Sequence, residues 1–187
     1  MNSKKTAIVA VLAAVSIGTN YALLPLFNVK FMDFIVFVGG FCFGPLAGGL
    51  IGVISWAVYG SLNPLGFSLP VWLSTMSAEA VFGVVGGLTA RFLILPKHSS
   101  VSNGKIGACV LFGVIGVFLT FGYDFVTNAA YAYAYGINII FAIITGFVPF
   151  GIAHLLSNVI FFSVGCVPTI NTILRVVGGE KTVNIEK

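Results

Sequence analysis

Between Lys105 and Arg175 the only formally charged side chain is Asp124, in a run of Phe, Val, Ile, Gly and Ala long enough for two membrane crossings. In hydrocarbon every backbone polar group must be satisfied within the segment, so such a run folds as helix or as a closed barrel. The apolar residues here come in unbroken stretches without alternation, which predicts helices. The rest of the chain agrees: 58% of its 187 residues are hydrophobic, 7% are charged, and the mean hydropathy is +1.08, where a soluble domain carries about 25% charge. The sequence describes an all-α integral membrane protein. Its net charge of +4 is spread over the whole length, leaving no patch that could track phosphates and so no case for nucleic acid.

Counting segments of roughly 20 apolar residues predicts six helices, at about 7–24, 33–43, 45–62, 71–95, 105–135 and 137–166. The second is too short for a full crossing, and Asp33 to Gly60 could be one long helix, but Gly44-Pro45 argues for a break. The basic residues decide between the two counts, because cytoplasmic loops collect positive charge. With six helices and the N-terminus inside, Lys4, Lys5, Arg91, Lys97, Lys105, Arg175, Lys181 and Lys187 all fall on the inner side, and Lys30 alone lies outside. With five, the basic stretch "RFLILPKHSSVSNGK" faces outward. Six helices with both termini cytoplasmic is therefore the expected topology, in one domain spanning 1–187 of a multi-pass plasma-membrane protein. A cleaved signal peptide over the first apolar stretch is the alternative; losing helix 1 would lose the charge balance.

Several classes of chemistry lack their residues. Cys42, Cys109 and Cys166 fall singly in separate apolar runs, and His98 and His154 lie far apart, so neither a disulfide framework nor a metal cluster can be read. "GGEKT" at Gly178 to Thr182 lacks the glycine that a phosphate loop needs before its lysine. No ATP site, cofactor or metal is implied.

At about 1.5 Å per residue, Glu79 lies roughly 12 Å and Asp124 roughly 16 Å from the outer ends of helices 4 and 5, with Trp56 of helix 3 at a similar level. Asp124, Asn128, Tyr131 and Tyr135 are spaced along one helical face, as are Trp72, Thr75 and Glu79. The inner halves of both helices are glycine-rich and nearly without polar side chains, so the pattern reads as a chamber opening outward. Ionisable groups at this depth face a bundle interior or a wet cavity; the alternative is that Asp124 fastens helices together and the tyrosines form an interfacial belt. His154 and Asn158, about 25 Å from the outer end of helix 6, are expected in the inner half as an interhelical hydrogen-bonding pair. Lys30 and Asp33 are expected on the outer connection, either closing over a ligand or simply solvated.

Ala10, Ala14 and Gly18 form a small-residue ribbon along helix 1, of the kind that lets another helix approach closely; a second ribbon, Gly48 and Gly52 leading to Trp56, suits internal packing. Six helices in 187 residues, a short second helix followed by "FGPLAGGLIGV", the AxxxA pattern of helix 1 and the "YDFVTN" run together resemble the substrate-binding S components of energy-coupling factor (ECF) transporters, over about Ala7 to Cys166. The resemblance implies capture of a vitamin or similar micronutrient from outside, and toppling in the bilayer against a transmembrane coupling subunit driven by two ATPases. By position it implies that Glu79, Asp124, Asn128 and Tyr131 line the substrate cavity and that Ala10 and Ala14 contact the coupling subunit. Trp56, Trp72 and Thr75, at the same level or on the same stripes, join the substrate candidates, and Gly18 the docking candidates. No signature selects the vitamin.

Two other readings fit parts of the pattern. A proton-coupled secondary transporter could use Glu79 and Asp124 as a relay, but it would ordinarily show an inverted repeat and access from both sides. An intramembrane enzyme could use the acids as general acid and base, but no nucleophile or metal accompanies them.

Overall fold

Local chemistry at the helix ends sets the element boundaries. The computed structural model describes residues 2–63, 66–93 and 103–178, and every regular element among them is helical. In α1 (Ser3–Ala22) the Asn2 side chain accepts from the Lys5 N–H at 3.0 Å, satisfying one orphan donor of the first turn. α2 (Met32–Phe43) stops at Gly44, whose φ of 98° is open to glycine, and Pro45 starts α3 (Pro45–Ser61) where its missing N–H is not needed. α4 covers Leu69–Phe92 and α5 Asn103–Tyr135. Gly136, at φ 64°, ends α5 while the Ile137 N–H returns to the Ala132 carbonyl. Asn138 then caps α6 (Ile139–Gly146) by accepting from the N–H groups of Ile140 and Phe141. The basic connection with Lys97 and His98, the expected end of helix 4 at Leu95, and Lys181 and Lys187 lie outside the described residues.

The last helical stretch departs from expectation. An irregular π-type turn at Phe147–Gly151, with Val148 at φ −116° and ψ 112°, separates α6 from α7 (Ile152–Ile160), and a second π-type turn at Phe161–Gly165 leads into α8 (Cys166–Gly178). Pro149 has no N–H to give to the ladder, which accounts for a break there. The helix also continues past its expected end at Cys166, because Pro168 falls in the first turn of α8, where a missing donor is tolerated.

α2 is the central helix, buried without interruption from Met32 to Phe41, and it packs against α1, α3, α4 and α8. A helix apolar all round has no face to give to water and takes such a position. Its contacts with α3 and α4 are backbone to backbone: a Cβ placed on Gly40, Gly48 or Gly83 would strike the backbone of the other helices at this crossing. Gly52 admits the Glu79 backbone to α3 in the same way. One turn further along α3, Trp56 can therefore reach the Glu79 side chain.

Phe37, Phe82, Phe112 and Phe162 fill the space between α2, α4, α5 and the second π-type turn, with Phe37 and Phe162 ring centroids 5.0 Å apart. The outside of the bundle is as apolar as the core, with Val11, Leu46, Phe92, Phe118, Ile140 and Val164 among its exposed side chains. Among the described residues four helical stretches are long and apolar enough to cross a membrane: Ser3–Ala22, Leu69–Phe92, Ile106–Tyr135 and Ile139–Val177; α2 and α3 are shorter.

Candidate functional site

Two pairs of polar residues, each one helical turn apart, meet between α5 and α7. Thr120 and Asp124 on α5 face Asn158 and His154 on α7: the Asn158 side-chain amide donates to Thr120 Oγ1 at 2.8 Å, and His154 Nδ1 lies 2.9 Å from Asp124 Oδ1. The helices run antiparallel, so a step up one matches a step down the other. Asp33, in the first turn of α2, completes the group. Its Oδ2 lies 2.6 Å from His154 Nε2 and accepts from the Asn158 amide at 2.6 Å. Asp33, Thr120, His154 and Asn158 are fully buried, and Asp124 nearly so.

His154 thus has a carboxylate oxygen at each ring nitrogen. Ionised carboxylates only accept, so either the ring is an imidazolium donating from both nitrogens or one carboxyl holds the proton. Both placements leave the Asp33, His154 and Asp124 unit with one net negative charge, and one ring ties α2, α5 and α7 together.

A second acid adjoins this unit. Trp56 Nε1 donates to Glu79 Oε2 at 3.1 Å, and Glu79, fully buried, is close enough to Asp33 for the two carboxyls to interact. The Tyr123 ring stands edge-on to His154 at 5.6 Å and 6.2 Å from Trp56. Above these rings sits Lys30, with Nζ 4.7 Å from the Tyr123 centroid and 5.4 Å from that of Trp56, distances at which an ammonium is attracted by the ring faces. The connection carrying Lys30 is itself anchored to the irregular turn: Asn28 donates to the Phe150 carbonyl at 2.8 Å, and Phe27 stacks on Phe150 at 4.5 Å.

The cluster leaves buried polar atoms without hydrogen-bond partners. Asp33 Oδ1, Glu79 Oε1, Asp124 Oδ2 and Asn158 Oδ1 have none among the described residues, nor do the Ser55 and Tyr123 hydroxyls. Buried polar atoms are ordinarily paired with protein, water or ligand, and their concentration beside these aromatic rings makes this cluster the candidate site. The groups of three or more His, Cys, Asp or Glu that would hold a metal do not occur among the described residues.

A family model described as "ECF transporter, substrate-specific component" matches residues 4–165. The chain belongs to this family. No curated protein and no solved structure matches it significantly. As an S component it is a membrane substrate-binding subunit and not an enzyme, and it works with a substrate and an ECF module. Membership does not favour the proton-coupled transporter.

Of the residues singled out in this S component's sequence, Trp56 and Glu79 bond directly and Asp124 joins the histidine group. Thr75 is buried one turn from Glu79, its hydroxyl turned back to the Trp72 carbonyl; Trp72 donates to the Ala57 carbonyl at 3.3 Å. Asn128 is half-buried and donates to the Asp124 carbonyl, whereas Tyr131 is 44% exposed and packs on Tyr135 at 4.5 Å.

Two expectations are corrected. Asp33 is not a solvated loop residue, because α2 is short enough to begin at the level of the cluster, with Asp33 fully buried in its first turn. His154 and Asn158 do make hydrogen bonds between helices, as expected, but at the level of Asp124 and not apart from it. A straight hairpin folding about Ile137 would place Asp124 opposite Phe150, but the irregular turn shifts the register by one helical turn and brings His154 there. The sequence signal that could have located them is the matched spacing of Thr120 with Asp124 and His154 with Asn158.

Proposed function

We propose that this S component captures a vitamin or similar micronutrient at the outer face of the plasma membrane and passes it to a separate ATP-driven module. The observation that carries the reading is the set of partnerless buried oxygens on Asp33, Glu79 and Asp124 beside the Trp56 and Tyr123 rings. Aromatic faces with a few convergent polar groups suit a flat, polar-edged heterocycle, held by stacking and hydrogen bonds. In this reading Glu79, Asp124, Trp56 and Thr75 form the floor of the site, and Asn128, Tyr131 and Trp72 its rim. Six membrane-spanning segments with both termini cytoplasmic put the Lys30 end of the bundle outside, in keeping with the inner-side excess of Lys and Arg.

The same reading gives α1 to the coupling subunit. Ala10, Ala14 and Gly18 are exposed while Val9, Ala13, Ser16 and Asn20 on the opposite face are buried. An apolar groove of about 350 Å³, lined by Ala7, Ile8, Val11 and Leu12 of α1 together with Phe43 and Ile173, continues the exposed strip toward the N-terminal end.

Mass spectrometry of small molecules released from gently purified protein tests the first part. A single heterocyclic metabolite at near-stoichiometric amount is expected. Its affinity should fall roughly tenfold or more in Asp124→Asn and in Glu79→Gln, since hydrogen bonds to charged groups contribute about 1.5–3 kcal/mol each. Unchanged affinity in both, with the fold intact by circular dichroism, removes these acids from the site.

A further inference from the structure

The partnerless atoms of the cluster are mostly of one kind. Asp33 Oδ1, Glu79 Oε1, Asp124 Oδ2 and Asn158 Oδ1 can only accept while the acids are ionised, and only the Ser55 and Tyr123 hydroxyls can also donate. A ligand that satisfies them must bring N–H or O–H groups. Charge points the same way. Asp33, Glu79 and Asp124 put three acids beside one lysine and one histidine, so Glu79 is charged only where a further cation faces it. Asp33 and Glu79 are also close enough to interact, and two neighbouring carboxyls in a low-dielectric site share either a proton or a cation.

The Lys30 ammonium supplies the second, independent observation. It lies over the Tyr123 and Trp56 rings at 4.7 and 5.4 Å, and neither of the buried ion pairs at the cluster, both made by His154, involves it. It is half-buried on a connection between helices, which leaves it a route out. Aromatic faces backed by carboxylates form a cation site, and in this structure the protein's own amine holds it.

We propose that the site selects a cationic ligand rich in N–H donors, a protonated amine, amidine or aminated cationic heterocycle, and that Lys30 is a tethered stand-in which the ligand's positive group displaces. This rests on the reading of the cluster as the substrate site. The incoming cation takes the ring faces from Lys30, its N–H groups pair with the free oxygens of Asp33 and Glu79, and the departing lysine carries its charge to the water at the mouth. An anionic ligand would add charge to an acid-rich pocket, and a neutral one would offer the carboxyls no cation to pair with.

An isosteric charge series tests the idea: benzamidinium, benzamide and benzoate share a shape and differ in charge and N–H count. In the full-length protein with both tryptophans kept, binding of each compound is read by isothermal titration calorimetry. Benzamidinium should bind at least roughly tenfold more tightly than benzamide, with benzoate weaker still. Lys30→Met, which removes the competing amine, should tighten benzamidinium by about threefold or more, and Asp33→Asn should weaken it. Benzamide or benzoate binding as well as benzamidinium, with binding still weakened by Asp33→Asn, overturns the cationic class and leaves the cluster as the substrate site. Weaker benzamidinium binding in Lys30→Met overturns the stand-in role. No response to any of the three overturns this proposal and the site together.

Discussion

His154 carries the largest share of the cluster's electrostatics, since one ring serves carboxylates on two other helices. Removing one partner of a buried ionic group leaves uncompensated charge and costs about 3–5 kcal/mol. His154→Leu is therefore expected to lower the melting temperature of the detergent-solubilised protein sharply, by a loss near 3 kcal/mol. Adding Asp33→Asn and Asp124→Asn should restore part of that loss, because residues in one network are not additive; strict additivity of the three changes would refute a shared-charge role for the ring. From sequence, Glu79, Asp124 and Trp56 were legible because spacing and depth along straight helices put them at one level. Asp33 and His154 were not, since each owes its position to a departure from that geometry: an early helix start in one case and a broken helix in the other.

Glycine governs how the elements approach. At the crossing of α2, α3 and α4, Gly40, Gly48 and Gly83 abut one another's backbone, and backbone cannot step aside as a side chain can. Gly83→Ala should accordingly cost roughly 1–3 kcal/mol by overpacking and loosen the Trp56 to Glu79 bond. Gly122→Ala, where an added methyl meets nothing within 4 Å inside α5, should leave stability unchanged or raise it by up to about 1 kcal/mol. Equal melting temperatures for the two variants would count against the tight crossing. Most helix boundaries were readable because Gly44-Pro45 and Gly136 are backbone signals confined to a few residues. The continuation of the last helix through Pro168 was not, because a proline in a first turn and a proline that ends a helix look alike until the start of the helix is known.

For the whole molecule, the buried cluster and the exposed strip of α1 lie in different parts of the bundle. α1 packs on α2 and α3, while the histidine group is held by α2, α5 and α7. Binding and docking should consequently separate by mutation. Ala14→Trp is expected to leave substrate affinity within about twofold, since distant sites act nearly independently, and to abolish copurification with a coupling subunit. Intact copurification would argue against α1 as the docking face. The sequence made this strip visible through its four-residue spacing, but which side of α1 faces the bundle depended on packing that only the fold supplies.

The stretch from Ile139 to Val177 spans 39 residues, yet it is not one stiff rod. Its middle piece, with His154 and Asn158, hangs between two π-type turns like the central bone of a finger between knuckles. The rotation of the imidazole about the helix axis is thus set apart from that of the segment beyond, whose Ile173 borders the groove on α1.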